Sequence, residues 1–181
     1  TAKYKSTANT FTVVFRQLKD GVYTTLKTEE VPYNTAAHAP NKPSVTGYTA
    51  GEWEAIGDTT GKSYGSDFST ILENTTITVQ LTKKQYEVKF VDHDDTVLKT
   101  EMVEHGNNAT APKNPTWTGH TFSKWDRAFT NVTSNLTVKA IYFAESLQVT
   151  FVDGFGTTVL EVECDYGTTV AGIKPDETPT H

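Results

Sequence analysis

The run Asp92-His93-Asp94-Asp95 is the densest set of chemically able side chains in the sequence. Hard cations favour carboxylate oxygens, and Asp153 recurs at a comparable turn, so a divalent ion is the first chemistry to weigh. The run lacks the alternating ligands, glycine and distal glutamate of a helix–loop–helix calcium site, and His93, His105 and His120 lack paired zinc-ligand spacing. A solvent-facing turn accounts for it. Cys164, the single cysteine, lies beside Asp165, but a nucleophile needs an oriented base and none is readable here. It reads as a strand thiol. Gly61-Lys62-Ser63 is a fragment of a phosphate-binding loop without the strand-to-helix context. Glu29 and Glu30 are neighbours on an extended polar segment, where solvation explains them; glycoside hydrolysis needs two carboxylates opposed across a cleft. The expectation is therefore no catalytic residue, no cofactor and no metal site.

Composition bounds the rest. A chain of 181 residues with a 36% hydrophobic fraction and abundant Thr favours small β-rich domains over one large core. The formal net charge of -6, with no Lys/Arg cluster, argues against nucleic acid as a partner. No apolar run approaches the roughly 20 residues of a spanning helix, so no membrane insertion is expected. Four Asn-x-Ser/Thr triplets, at Asn74, Asn108, Asn131 and Asn135, are glycan acceptors only in a eukaryotic secretory setting.

What positions these groups is a repeat. Its clearest copy spans 86–143: a period-two strand Tyr86-Glu-Val-Lys-Phe90, a polar turn, a return strand to Val103, His105-Gly106, Ala111-Pro112, Pro115, Gly119, Phe122, Trp125 and a closing strand from Leu136 to Tyr142. A first copy spans 11–82. Pro43 to Trp53 and Pro115 to Trp125 are both ten residues apart, and Leu26 to Asn34 and Leu98 to Gly106 are both eight. Agreement at several offsets marks internal repetition. The first copy carries a Gly/Ser/Thr/Asp-rich insertion at 57–69, read either as a recognition loop or as tolerated surface length. Residues 1–5 resemble the end of a closing strand, and 147–181 read as a partial third copy, a truncation of a longer array. Junctions of a few residues restrict how successive copies are oriented.

Within a copy, the strand faces give the expected core: Phe11, Val13, Phe15, Leu26, Tyr48 and Trp53 in the first, and Tyr86, Val88, Phe90, Leu98, Phe122, Trp125, Leu136 and Val138 in the second. Trp125 lies three positions from Phe122, which breaks alternation and predicts a bulge or bend. The Ala-rich segments 34–39 and 108–111 suggest one short helical turn crossing the sheet. Trp117 has no aromatic counterpart at Val45, which makes it a candidate exposed contact, together with Lys62 and Tyr64 of the insertion.

Phe90-Val-Asp92, Thr96 to Thr100, Val103-Glu-His-Gly106, Ala109 to Pro112, Asn114-Pro115, Gly119 to Phe122, Trp125-Asp126, Phe129, Asn131-Val132 and Leu136-Thr-Val138 together resemble the Listeria–Bacteroides surface repeat, also known from the internalin B repeat. The resemblance is strongest over 86–142, weaker over 11–81 and partial from 147; His120 stands where an aromatic is usual. It implies an α+β, mostly β fold of tandem small β-grasp-like repeat domains arranged end to end. It further implies a secreted or wall-attached bacterial protein with no catalytic residues in this segment. The function expected is a stalk or spacer that positions adhesion domains. The alternative is a direct host- or glycan-binding module within an adhesin or a secreted carbohydrate-active enzyme. Candidate partners are a host surface protein, a glycan or a cell-envelope component, besides neighbouring repeats.

Overall fold

Alternating apolar residues and Asp/Gly turns give a chain built from strands. The computed structural model describes residues 9–57, 63–65, 68–169 and 171, and they divide between two compact units, Thr1–Gln85 and Tyr86–His181. The expected closing-strand remnant at 1–5 lies outside the described residues.

In the first unit β1 (Thr10–Lys19) and β2 (Val22–Pro32) form an antiparallel hairpin, turning at Asp20 and Gly21, both with positive φ. β3 (Tyr48–Gly57), the short β4 (Ser63–Gly65) and β5 (Thr75–Lys83) complete a sheet of order β2-β1-β5-β3-β4. β5 returns to pair parallel with β1 and antiparallel with β3. The second unit repeats this order as β7-β6-β9-β8, from β6 (Gln85–Val91), β7 (Val97–Glu104), β8 (His120–Trp125) and β9 (Leu136–Ala144). There β9 runs parallel to β6 and antiparallel to β8. β10 (Ser146–Val152) and β11 (Thr158–Asp165) make a further antiparallel hairpin.

One face of each sheet is packed. Val13, Phe15, Trp53, Ala55, Ile77 and Val79 are buried in the first unit; Val88, Phe90, Val103, Val132 and Val138 in the second. The Phe15 ring meets Trp53 and Phe68 edge-on at 5.6 and 5.9 Å, and the Phe90 ring meets Trp125 and Phe129 at 5.1 and 5.3 Å. Such pairs add about 0.5–1.5 kcal/mol each beyond the area they bury. The expected break in alternation is a bulge in both units, between Ala50 and Trp53 and between Phe122 and Lys124. The extra residue turns each indole back onto the packed face.

Five expectations are corrected, the first being Phe122, which is half-buried outside the core cluster, its ring against Trp125 and Tyr142. Leu26 is 39% exposed. The hairpin register slips there, pairing Phe15 with Lys27 and Arg16 with Thr25, so Leu26 is displaced from the ladder. The inward face of β2 is set by Val31, Glu29 and Lys27, and that of β7 by Val103, Glu101 and Lys99. Leu98 is accordingly only half-buried and Met102 is exposed. Tyr48 lies outside the core cluster, half-buried, with its hydroxyl donating to Asp20 and the Lys19 ammonium over its ring. The Ala-rich segments form no helix. Ala37 and Ala109 are buried as single knobs from extended chain, and their N–H groups donate to the carbonyls of Phe68 and Phe129 rather than along a helix.

Phe90→Ala should cost the second unit about 3–5 kcal/mol, the range for a buried ring. Leu26→Ala should cost the first less than about 1 kcal/mol. Urea denaturation followed by tryptophan fluorescence checks both, and equal losses would contradict the burial described.

Candidate functional site

The acidic turn of the second unit brings three candidate ligand side chains together. Ligand-type atoms of Asp92, His93 and Asp94 lie within 4.8 Å of one another. Each carboxylate already has work in the turn. Asp92 accepts the Tyr142 hydroxyl at 2.6 Å and the His93 N–H at 2.7 Å, while Asp94 accepts the Thr96 N–H at 3.0 Å. Burial pushes the Asp92 carboxyl up, but the donors of Tyr142 and His93 outweigh it and leave it below the ordinary value. Burial and the adjacent Asp92 charge raise the Tyr142 phenol. Asp153 does the same turn work in the last hairpin, accepting the N–H groups of Phe155 and Thr157. These bonds satisfy a tight turn without an ion.

Beside this turn, Trp117 lies between two imidazoles. His93 stacks on it at 3.9 Å and 11°, His120 at 3.4 Å and 2°. Two rings that close and parallel cannot share one face, so both faces of the indole are covered. Tyr142 meets it edge-on at 5.4 Å. Trp117 is 37% exposed, and what it presents outward is its rim, not the open plane on which a sugar ring would stack. Lys62 and the Tyr64 side chain lie outside the described residues.

Cys164 is half-buried in β11, opposite Leu147 across the ladder. A groove lies on the solvent face of the first sheet. It is lined by Arg16, Tyr23, Gly51, Glu54 and Gln80, with the Arg16 guanidinium 3.8 Å over the Tyr23 ring and its Nε–H on Thr78.

The strongest polar arrangements are ones the sequence reading passed over. On β7, Lys99 Nζ donates to Glu101 at 3.0 Å and to the Thr110 carbonyl, and Glu101 accepts the Thr110 N–H. On β2, Lys27, Glu29 and His38 make the same three bonds. Each clamp holds the extended crossing segment against its sheet. Glu29 is thus a clamp, not merely a solvated neighbour of Glu30. Asn74 and Asn135, each just before a closing strand, accept the N–H of Thr12 and Glu87 at 3.0 Å. Repetition of Lys-Thr-Glu and of Asn before the last strand was the signal available.

Two sheets of one strand order, each gathered on one phenylalanine and locked by the same clamp and cap, define a structural repeat module. The chain belongs to the Listeria–Bacteroides repeat domain family, which it matches over residues 11–79 and again over 86–142. Membership makes the segment a non-catalytic module and supports a cell-surface location. The chain is 26% identical over 168 residues to a protein of Evansella cellulosilytica named "Putative Gly-rich membrane protein", covering 85% of this chain and 19% of that one. It is 24% identical over 152 residues to a second protein of that organism, named "Putative membrane protein", covering 78% of this chain and 23% of that one. It therefore spans about a fifth of each relative. Among the described residues no helix is long and apolar enough to cross a membrane.

Burial pushes the Glu101 carboxyl up, but the Thr110 N–H and Lys99 overcome this and hold it below its ordinary 4.5. A depressed acid stabilises fully above the unfolded value and ceases to do so as pH falls through the folded one. The second unit should lose thermal stability on acidification below about pH 4.5. Glu101→Gln should cost about 1–2 kcal/mol at pH 7 and flatten part of that acid limb in calorimetry.

Proposed function

We propose that this segment is a spacer in a larger bacterial surface protein, built of β-grasp-like repeats at 11–82 and 86–143 and a partial third from 147, that carries other domains away from their anchor. The observation that supports it most is that the clamps, caps and ring contacts coincide in the two units, while the surfaces between them do not. The Gly-rich insertion belongs to the first copy by sequence, and among the described residues the Arg16–Tyr23 groove is found on the first unit and the Trp117 stack on the second. What recurs is what holds a fold together. A β-grasp reading rests on the strand order, with the first and last strands parallel at the centre and hairpin partners outside. The crossing helix usual in that architecture is replaced here by clamped extended chain.

A spacer acts through reach and not through turnover. With an epitope tag before the segment and a wall anchor after it, antibody access on intact bacteria should rise as copies of 11–143 are added. Access should be unaffected by Trp117→Ser or Tyr23→Ser. Saturable binding of the purified chain to wall glycan or host-cell glycan, lost in either variant, would replace this reading with that of a binding module.

A further inference from the structure

The geometry points to a built joint between the second repeat and the hairpin that follows it, with Tyr166 as the ring that seats on Gly119. This rests on the spacer reading and adds to it a mechanism for direction. Glu145 is the whole link between β9 and β10. Its N–H donates to the Gly119 carbonyl at 2.9 Å and its carbonyl accepts the Tyr166 N–H at 2.8 Å. Both backbone groups of the link are therefore committed, one to each side. Gly119 has φ +70, and a methyl group at its Cα would fall inside the Tyr166 ring. Glycine is needed there twice, for the left-handed backbone and for the close approach. His120 adds an edge-on ring contact to Tyr166 at 5.9 Å, and His120 is itself stacked on Trp117. The joint thus leads back into the half-exposed aromatic cluster of the second repeat.

The parts of this joint recur in the other copies by position. Gly47 also has a left-handed backbone, with φ +79, and its carbonyl accepts the N–H of Lys84, the single residue between β5 and β6. Tyr33 and His105 precede the left-handed Asn34 and Gly106 as Tyr166 precedes Gly167. Tyr33 is 57% exposed. At Gly119 the aromatic before the left-handed turn of the hairpin seats on the glycine that opens the third strand of the second repeat. A one-residue link seated in this way restricts the angle between that hairpin and the second repeat, where an untied one would permit a broad range.

The test is a pair of spin labels on the full chain, at Thr137→Cys in β9 and Thr158→Cys in β11, in a Cys164→Ser background. One narrow distance distribution is expected. Tyr166→Phe should keep it narrow, because the ring and not the hydroxyl makes the seat. Tyr166→Ala, and separately two glycines inserted after Glu145, should each broaden it about twofold while amide protection of β10 and β11 persists. A broad distribution in the parent chain, or a narrow one in Tyr166→Ala, overturns the joint. Loss of amide protection in Tyr166→Ala also overturns it, since the ring would then belong to the hairpin's own packing. A failed joint would leave a flexible spacer, whereas saturable glycan binding would remove the spacer and leave the joint.

Discussion

Everything in each unit converges on one phenylalanine ring. A sheet of four or five strands with one packed face buries little apolar surface, so the contacts around Phe15 and Phe90 must be well directed. Both rings are fully buried, and each is met edge-on by a tryptophan from the third strand and a phenylalanine from the loop beyond it. That requirement explains the bulge. An unbulged strand would turn the indole to solvent, and the extra residue restores it. It also explains where the first unit can lengthen. Phe129 follows four residues after Trp125, while Phe68 follows fifteen after Trp53, yet both rings make the same contact. Extra chain between the two contacts is tolerated because both ends of the excursion return to the same ring.

The second requirement is to hold a crossing segment that has no helix. A helix satisfies its own backbone; extended chain must find partners. The N–H groups of Ala37 and Ala109 go to the loop carbonyls of Phe68 and Phe129, and those of His38 and Thr110 to Glu29 and Glu101. Lysine then neutralises each glutamate and binds the same segment through a carbonyl. The polar residues on the inner edge of β2 and β7 thus replace what intrahelical bonds would have done. This is why lysine and glutamate stand on faces where hydrophobic side chains were expected.

The sequence made the tandem units, hairpins, closing strands and both bulges legible, because each leaves a periodic or spacing signature. Trp53 and Phe90 were readable as core for the same reason. Leu26 belongs to the outer face because the inward positions of its strand fall on Lys27, Glu29 and Val31, and two charged residues at inward positions hide that register from a reading of hydrophobic alternation. The extended crossing was misread because alanine favours helix locally, while the bonds that decide otherwise come from loops far along the chain. The Trp117 stack joins residues from three separate segments, His93, the turn Trp117–His120 and Tyr142. Nothing in the order of residues shows that two imidazoles will enclose one indole.

The central parallel pair has a further effect. Val13 lies beside Thr75 and Val88 beside Leu136, so the first strand of each unit is completed by its last. As the polypeptide emerges from synthesis, each opening hairpin must wait with its apolar side unsealed until the matching final strand appears. A sister repeat supplies a strand of nearly the same pattern just downstream. The copies differ at the matching inward positions, Ile77 and Val79 against Val138 and Ala140, so a final strand taken from the neighbour would fill the core with a different volume.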